Sequence, residues 1–283
     1  MRLTWRQFRG VWRPVLGLAV IVSVGWLGRA RLPEFAEVRD FIALKISPGR
    51  FRDQCIRKFL LGEQELLLVG TIHSMHLTTP AYGLADVENV VRNYRPDSVA
   101  LEIRPKDLEE RKFNLGPIEM AQVAIATEHS HVPTFGFDVG DDEAMERAAE
   151  RGVALDYNDD HRNREMVALL KKGSNGLRRV VAFTGYSHLE PFARLLKSAG
   201  AVEVPMSDGE RHSLYADAGA RSTLYPDMLA SIRASAASLQ DYLDHYGKEN
   251  EWSERIRAKL AQLRTLETQL SSKDDAQSTA LNR

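Results

Sequence analysis

Between Phe51 and about Met206, short apolar runs alternate with amphipathic stretches, the pattern of an α/β chain. Leu66-Leu67-Leu68-Val69 is continuously apolar and ends at Gly70, which predicts a strand buried on both faces. Val87, Val90, Val91 and Tyr94 recur at helical spacing, and Pro96 stops the helix they predict. Val99-Ala100-Leu101 predicts a second strand, followed at once by Glu102. Ile118 to Glu128 reads as a mostly apolar helix. Pro133 to Phe137 predicts a third strand, broken by Gly136 and ended by Asp138. Asp141 caps a predicted helix over 142–151, terminated by Gly152. Asn158 or Asp159 caps the next helix, with Met166, Leu169 and Leu170 facing inward. Val180 to Thr184 predicts a fourth strand ending at Gly185. Leu189 to Ala199 then predicts a helix, with Pro191 tolerated in its first turn and Gly200 closing it, and Val202 to Val204 a last short strand.

The pattern changes after about Tyr225. Leu229, Ile232, Ala236, Leu239, Leu243 and Tyr246 step alternately by three and four, a heptad stripe that Gly247 to Asn250 interrupts. Trp252, Ile256, Leu260, Leu263, Leu266 and Leu270 mark a second helix. The expectation is a helical hairpin packed on the α/β domain, with pairing to a second copy of the chain as the other use of the stripe. Ser271 to Arg283 is polar and expected to be disordered.

At the other end, Pro14 to Gly28 is uncharged and mostly apolar, with arginines on both sides. As a helix this run spans roughly 22 Å, short of a hydrocarbon core of about 30 Å. Val11 and Trp12 lengthen it, and Arg13 and Arg29 can snorkel to the interfaces. The expectation is a single-pass membrane anchor. A cleaved signal peptide is the alternative, although Gly28-Arg29-Ala30 is a poor cleavage site. Four arginines before the run and two after it favour a cytoplasmic N-terminus and an extracytoplasmic body. The expected organisation is an anchor over 1–31, an α/β domain over 32–225, a helical hairpin over 226–270 and a tail over 271–283.

Composition adds exclusions. A chain of 283 residues that is 43% hydrophobic and 27% charged is ordinary for a globular protein. The net charge is -1, yet residues 1–31 hold six arginines and no acid, so the remainder carries -7. An acidic body argues against nucleic acid as a partner. The single cysteine, Cys55, has no internal disulfide partner. There is no Walker A and no G-x-G-x-x-G, so nucleotide binding has no support.

One phrase occurs twice. Gly70-Thr71-Ile72-His73 and Gly185-Tyr186-Ser187-His188 both follow a predicted strand. Glycine at a strand end permits a sharp turn or a close approach, and the histidine then projects from the carboxyl edge of the sheet, where open α/β folds place ligands. Glu102 and Asp138 end two further strands and reach the same edge if the strands are parallel neighbours. Two neutral imidazoles and a carboxylate form a ligand set for a divalent metal with open positions. The same groups without a metal suit general-base activation of water.

These phrases resemble the TraB/PrgY/GumN/Tiki family, within the wider group of erythromycin-esterase-like and ChaN-like proteins. The resemblance rests on Gly70-Thr71-Ile72-His73, on Pro96 to Glu102, on His161-Arg162-Asn163-Arg164 and on Gly185-Tyr186-Ser187-His188-Leu189, and covers roughly residues 60 to 205. It implies an α/β fold of mostly parallel or mixed sheet with one pocket at the paired G-x-x-H histidines. His73, His188 and Glu102 would hold a divalent metal ion, Glu102 would be ligand or general base, and Arg162 a polar partner. The family spans metal-dependent membrane-tethered proteases, lactone-opening esterases, regulators that curb peptide pheromones and haem binders. Two functions follow as expectations: a membrane-anchored, peptidase-like metal-dependent hydrolase, or a non-catalytic regulator that sequesters a peptide or small ligand. Tyr186-Ser187 stands where relatives often have small residues, which bears on the substrate.

Other candidates compete. Arg162 and Arg104 can bind a carboxylate or stabilise an oxyanion, or simply pair with Glu102 or Asp138. His76 is a candidate third ligand or a loop residue. His129-Ser130-His131 resembles a metal clip but precedes a strand in an expected turn. Ser74 and Ser187 sit beside the key histidines without a G-x-S-x-G elbow.

Overall fold

A computed structural model describes residues 48–77, 79–111, 117–140, 160–215, 225–247 and most positions from 253 to 271. The apolar run 14–28, the helix expected over 142–151 with its cap Asp141 and terminator Gly152, the caps Asn158 and Asp159 expected for the helix after it, and the tail beyond Ser271 lie outside these residues. No helix among the described residues is long and apolar enough to cross a membrane. The chain divides into two compact units, Met1–Arg52 and Asp53–Arg283. Helix α1 (Pro48–Gln54) precedes the sheet, which with its covering helices belongs to the second unit.

Six strands form one mixed sheet: β1 (Ile56–Leu61), β2 (Gln64–Thr71), β3 (Ser98–Leu101), β4 (Thr134–Gly136), β5 (Arg179–Gly185) and β6 (Val202–Val204), in the order β4-β3-β5-β2-β1-β6. β4, β3, β5 and β2 run parallel, and β1 is antiparallel to both β2 and β6. The composition of the central strands explains their place. Leu66–Val69, Val99–Leu101 and Val180–Phe183 are buried almost completely, as parallel strands covered on both faces must be. The antiparallel β1 needs only a short reversal, and Gly62 at φ 60° provides it. Sequence pattern does not single out β1, whose Arg57 and Lys58 interrupt the apolar run.

The covering helices are α2 (Leu84–Tyr94), α3 (Pro105–Glu109), α4 (Ile118–His129), α5 (Asp160–Gly173), α6 (Leu189–Ser198), α7 (Asp208–Tyr215) and α8 (Tyr225–Tyr246). α2 packs on α4 and α7, while α5 packs on α6. In α5, Met166, Val167 and Leu170 are buried and Leu169 is only half-buried, so the inward face is turned slightly from the expected one. Part of the expected C-terminal pair is also present. Ile232 of α8 and Leu263 are buried together, packed against Leu229, Ala236, Leu239 and Ile118 at the start of α4.

Register sets the rest. Thr71 is paired with Gly185, Leu101 with Phe183, and Leu101 also with Gly136. Four parallel strands therefore end at one edge, and their next residues emerge side by side.

Candidate functional site

The two G-x-x-H stretches are interlocked. After β2 the chain turns into a 3-10 segment, His73–Leu77, and after β5 into another, Tyr186–His188. A Cβ on Gly70 would fall inside the side chain of Leu189, the residue that follows the second histidine. A Cβ on Gly185 would lie 2.9 Å from His73 Nε2 and 3.5 Å from His188 Cδ2. Each glycine thus makes room for the other motif, and the two imidazoles flank one point above Gly185.

Each ring is aimed through its other nitrogen. His188 Nδ1 lies 2.7 Å from Asn163 Oδ1, an acceptor, so Nδ1 carries the hydrogen and Nε2 the lone pair. His73 Nδ1 lies 2.9 Å from Glu119 Oε1, and donates to it in the same way. His73 also holds a left-handed backbone, φ 51°, a conformation that costs free energy in a non-glycine residue and clusters at functional sites. Its turn is braced by His76, which accepts from the Ile72 N–H at 3.0 Å and donates to the Tyr82 carbonyl at 2.8 Å. Both nitrogens of His76 are thereby committed to backbone, so it is not the third ligand that its spacing suggested.

Glu102 stands directly after β3. Its Oε2 accepts from Thr184 Oγ1 and from the Gly185 N–H, both at 2.6 Å, which locks the carboxylate to the end of β5. Its Oε1 lies 3.5 Å from both His188 Nε2 and Arg162 Nη2. Arg162 enters from α5, donates to Asp138 Oδ1 at 2.5 Å and places Nη1 3.4 Å from His188 Nε2. The stretch Arg162-Asn163 therefore contributes twice, with the guanidinium on one side of His188 and the amide on the other. Burial lowers the His188 ring below its usual range, opposed by Glu102 and aided by Arg162. Burial raises the Asp138 carboxyl, opposed by Arg162 and aided by Glu102. For Glu119 burial works upward, but His73, His76 and the Thr71 hydroxyl outweigh it and hold the carboxyl at about 2.

His73, Glu102, His188, Arg162 and Asp138 are brought together at one edge; Arg104 and Ser187 lie at that edge beside them, and His129 and His131 do not. Arg104 is paired with Asp107. His129, the last residue of α4, and His131, in the turn that leads into β4, are exposed at the opposite edge of the sheet. Ser187 is exposed. Sequence reasoning missed Glu119 and the separate role of Asn163. A signal existed for the first: Glu119 is a lone acid near the start of a mostly apolar helix, and a fully buried carboxylate requires partners.

The donor types suit a divalent ion, and Glu119 and Asn163 are the kind of outer partners that orient ligating histidines. The arrangement does not suit one. Metal–nitrogen bonds of about 2.0–2.1 Å need the space beside His188 Nε2 and Glu102 Oε1 that the Arg162 guanidinium faces. No group of three or more His, Cys, Asp and Glu side chains among the described residues is placed to hold a metal. What the site does present is two ring Nε2 atoms, a locked carboxylate and a fixed guanidinium at one strand end. The chain matches no family model, no curated protein and no solved structure.

Proposed function

We propose that this site activates water for attack on a peptide or ester carbonyl, making the protein a hydrolase. The observation that carries the proposal is the pairing of His73 Nδ1 with Glu119 and of His188 Nδ1 with Asn163. It turns both Nε2 atoms toward the strand end that also holds Glu102 and Arg162, with Arg162 Nη1 3.4 Å from His188 Nε2. A neutral ring nitrogen accepts a proton from water, and a positioned base of this kind contributes about 10²–10⁴-fold in rate. Arg162, held by Asp138, offers fixed positive charge to the oxygen on which negative charge develops. Glu102 Oε1, the oxygen not locked to β5, orients the attacking water.

A second reading has one observation in its favour. If Arg162 withdraws, His73, His188 and Glu102 present the donor set of a divalent ion, which would act as a Lewis acid and acidify bound water. A peptide library and a panel of simple esters, offered to the full-length chain with and without chelator, separate the two. We expect turnover that survives chelation and falls at least 10²-fold in His73→Ala. Turnover lost on chelation and restored by a divalent ion would favour the metal reading. Binding of peptide without any turnover would favour a sequestering regulator. The run 14–28 is proposed to tether the body to a membrane, and release of the full-length chain by alkaline carbonate would refute that.

A further inference from the structure

Resting on the hydrolytic reading, we infer that His73 rather than His188 takes the proton from water, and that Glu119 is its positioning residue. The rings differ in access: the His73 side chain is 50% exposed, the His188 side chain 5%. Arg162 Nη1 also faces His188 Nε2 at 3.4 Å, and a guanidinium there opposes protonation of that ring. His73 Nε2 lies 2.9 Å from where a Cβ on Gly185 would sit, and its ring is half-exposed to solvent.

Glu119 is hard to explain by packing. It is fully buried in α4, and an apolar side chain of similar volume is often as stable as a buried charge or more so. One oxygen, Oε1, takes the donors Thr71 Oγ1 at 2.6 Å and His73 Nδ1 at 2.9 Å. The other, Oε2, is buried with no hydrogen-bond partner among the described residues, which a purely structural carboxylate would not tolerate well. Held against this acid, His73 keeps its hydrogen on Nδ1 and its lone pair on Nε2, and the imidazolium formed during reaction is stabilised. The other charged or titratable groups around this pair are His76 from the same turn, His188 from the facing turn, and Glu102 and Arg162 beyond it.

In the attack, a water O–H bond breaks, its proton goes to His73 Nε2, and the oxygen bonds to the carbonyl carbon. The carbonyl electron pair moves to the oxygen facing Arg162. Collapse of that adduct expels an amine or alcohol, which takes the proton back from His73.

The test uses the full-length chain labelled with ¹⁵N at histidine, His73 being assigned by its loss in His73→Gln. At a pH where the ring is neutral, the wild type should show the Nδ1–H tautomer. Glu119→Met keeps the volume and removes the acceptor, so it should lose that tautomer and lower kcat about 10²-fold with KM little changed. Glu119→Gln keeps an acceptor at Oε1, so it should keep the tautomer and recover part of the rate. Thr71→Val removes the neighbouring donor and should leave the His73 spectrum alone. A folded Glu119→Met that retains the Nδ1–H tautomer overturns the inference. If Glu119→Met does not fold, loss of the tautomer in Glu119→Gln overturns it instead. Absence of turnover in the wild type would overturn the hydrolytic reading, while the nitrogen spectra still decide whether Glu119 sets the ring.

Discussion

Gly70 and Gly185 occupy equivalent places in the two motifs, yet alanine at each should fail in a different way. At Gly70 the added methyl meets Leu189, a buried side chain at the start of α6, with the Tyr186 backbone 3.3 Å away. Neither can retreat, so Gly70→Ala should cost about 1–3 kcal/mol of stability, as overpacking does. At Gly185 the nearest atoms belong to His73, whose half-exposed ring can swing toward solvent. Gly185→Ala should therefore change stability by about 1 kcal/mol or less while turnover collapses. Urea unfolding of both variants beside a turnover assay checks the contrast. Equal loss of stability in the two would show that the rings are wedged as tightly as the helix. The histidines, Glu102 and Arg162 were legible as residues because each follows a strand or sits in a motif. Glu119 was legible only as an acid in a core helix that needs a partner, since only the fold places His73 beside it.

Among the elements, the 3-10 segment after β2 depends most on a single side chain. His76 ties Ile72 to Tyr82 and so fixes the turn on which His73 rides. His76→Phe would leave a backbone donor and acceptor unpaired, at about 1–3 kcal/mol each. Burial keeps the His76 ring neutral by pushing its pKa below the ordinary value, against the opposing pull of Glu119. The unfolded chain binds a proton there that the native state refuses. Stability from this group is therefore complete above about pH 6.5 and is lost as pH falls through the depressed value. His188, likewise lowered, adds to the same trend. Urea midpoints should fall on acidification from about pH 7.5 to about pH 5, and less steeply in His76→Phe; identical slopes would remove His76 from the account. Strands β2, β3 and β5 were readable because apolar runs ending in Gly or Glu have few other uses, and β4 and β6 from shorter stretches bounded by Gly or Pro. β1 was not, since two cations in six residues hide a strand that pairs on both sides.

Over the whole α/β unit, the sheet edge and the C-terminal helices meet at α4. Ile118, packed against Ile232 and Leu263, immediately precedes Glu119, so α8 and Leu263 brace the turn that carries the acid. Ile232→Ala should cost about 2–4 kcal/mol and speed amide exchange in the first turn of α4; unchanged exchange there would uncouple α8 from the candidate site. Sheet order and register could not be read from the sequence, because which strands become neighbours depends on contacts far apart along the chain. Only the edge was foreseeable, from the residues that end the strands. The pairing of Thr71 with Gly185 carries one more consequence. Because side chains alternate along a strand, a single residue inserted within β5 would exchange its two faces and carry His188 away from His73. The tolerance of this strand to length change should come in steps of two, so that indels of odd and even size separate cleanly in a selection for function.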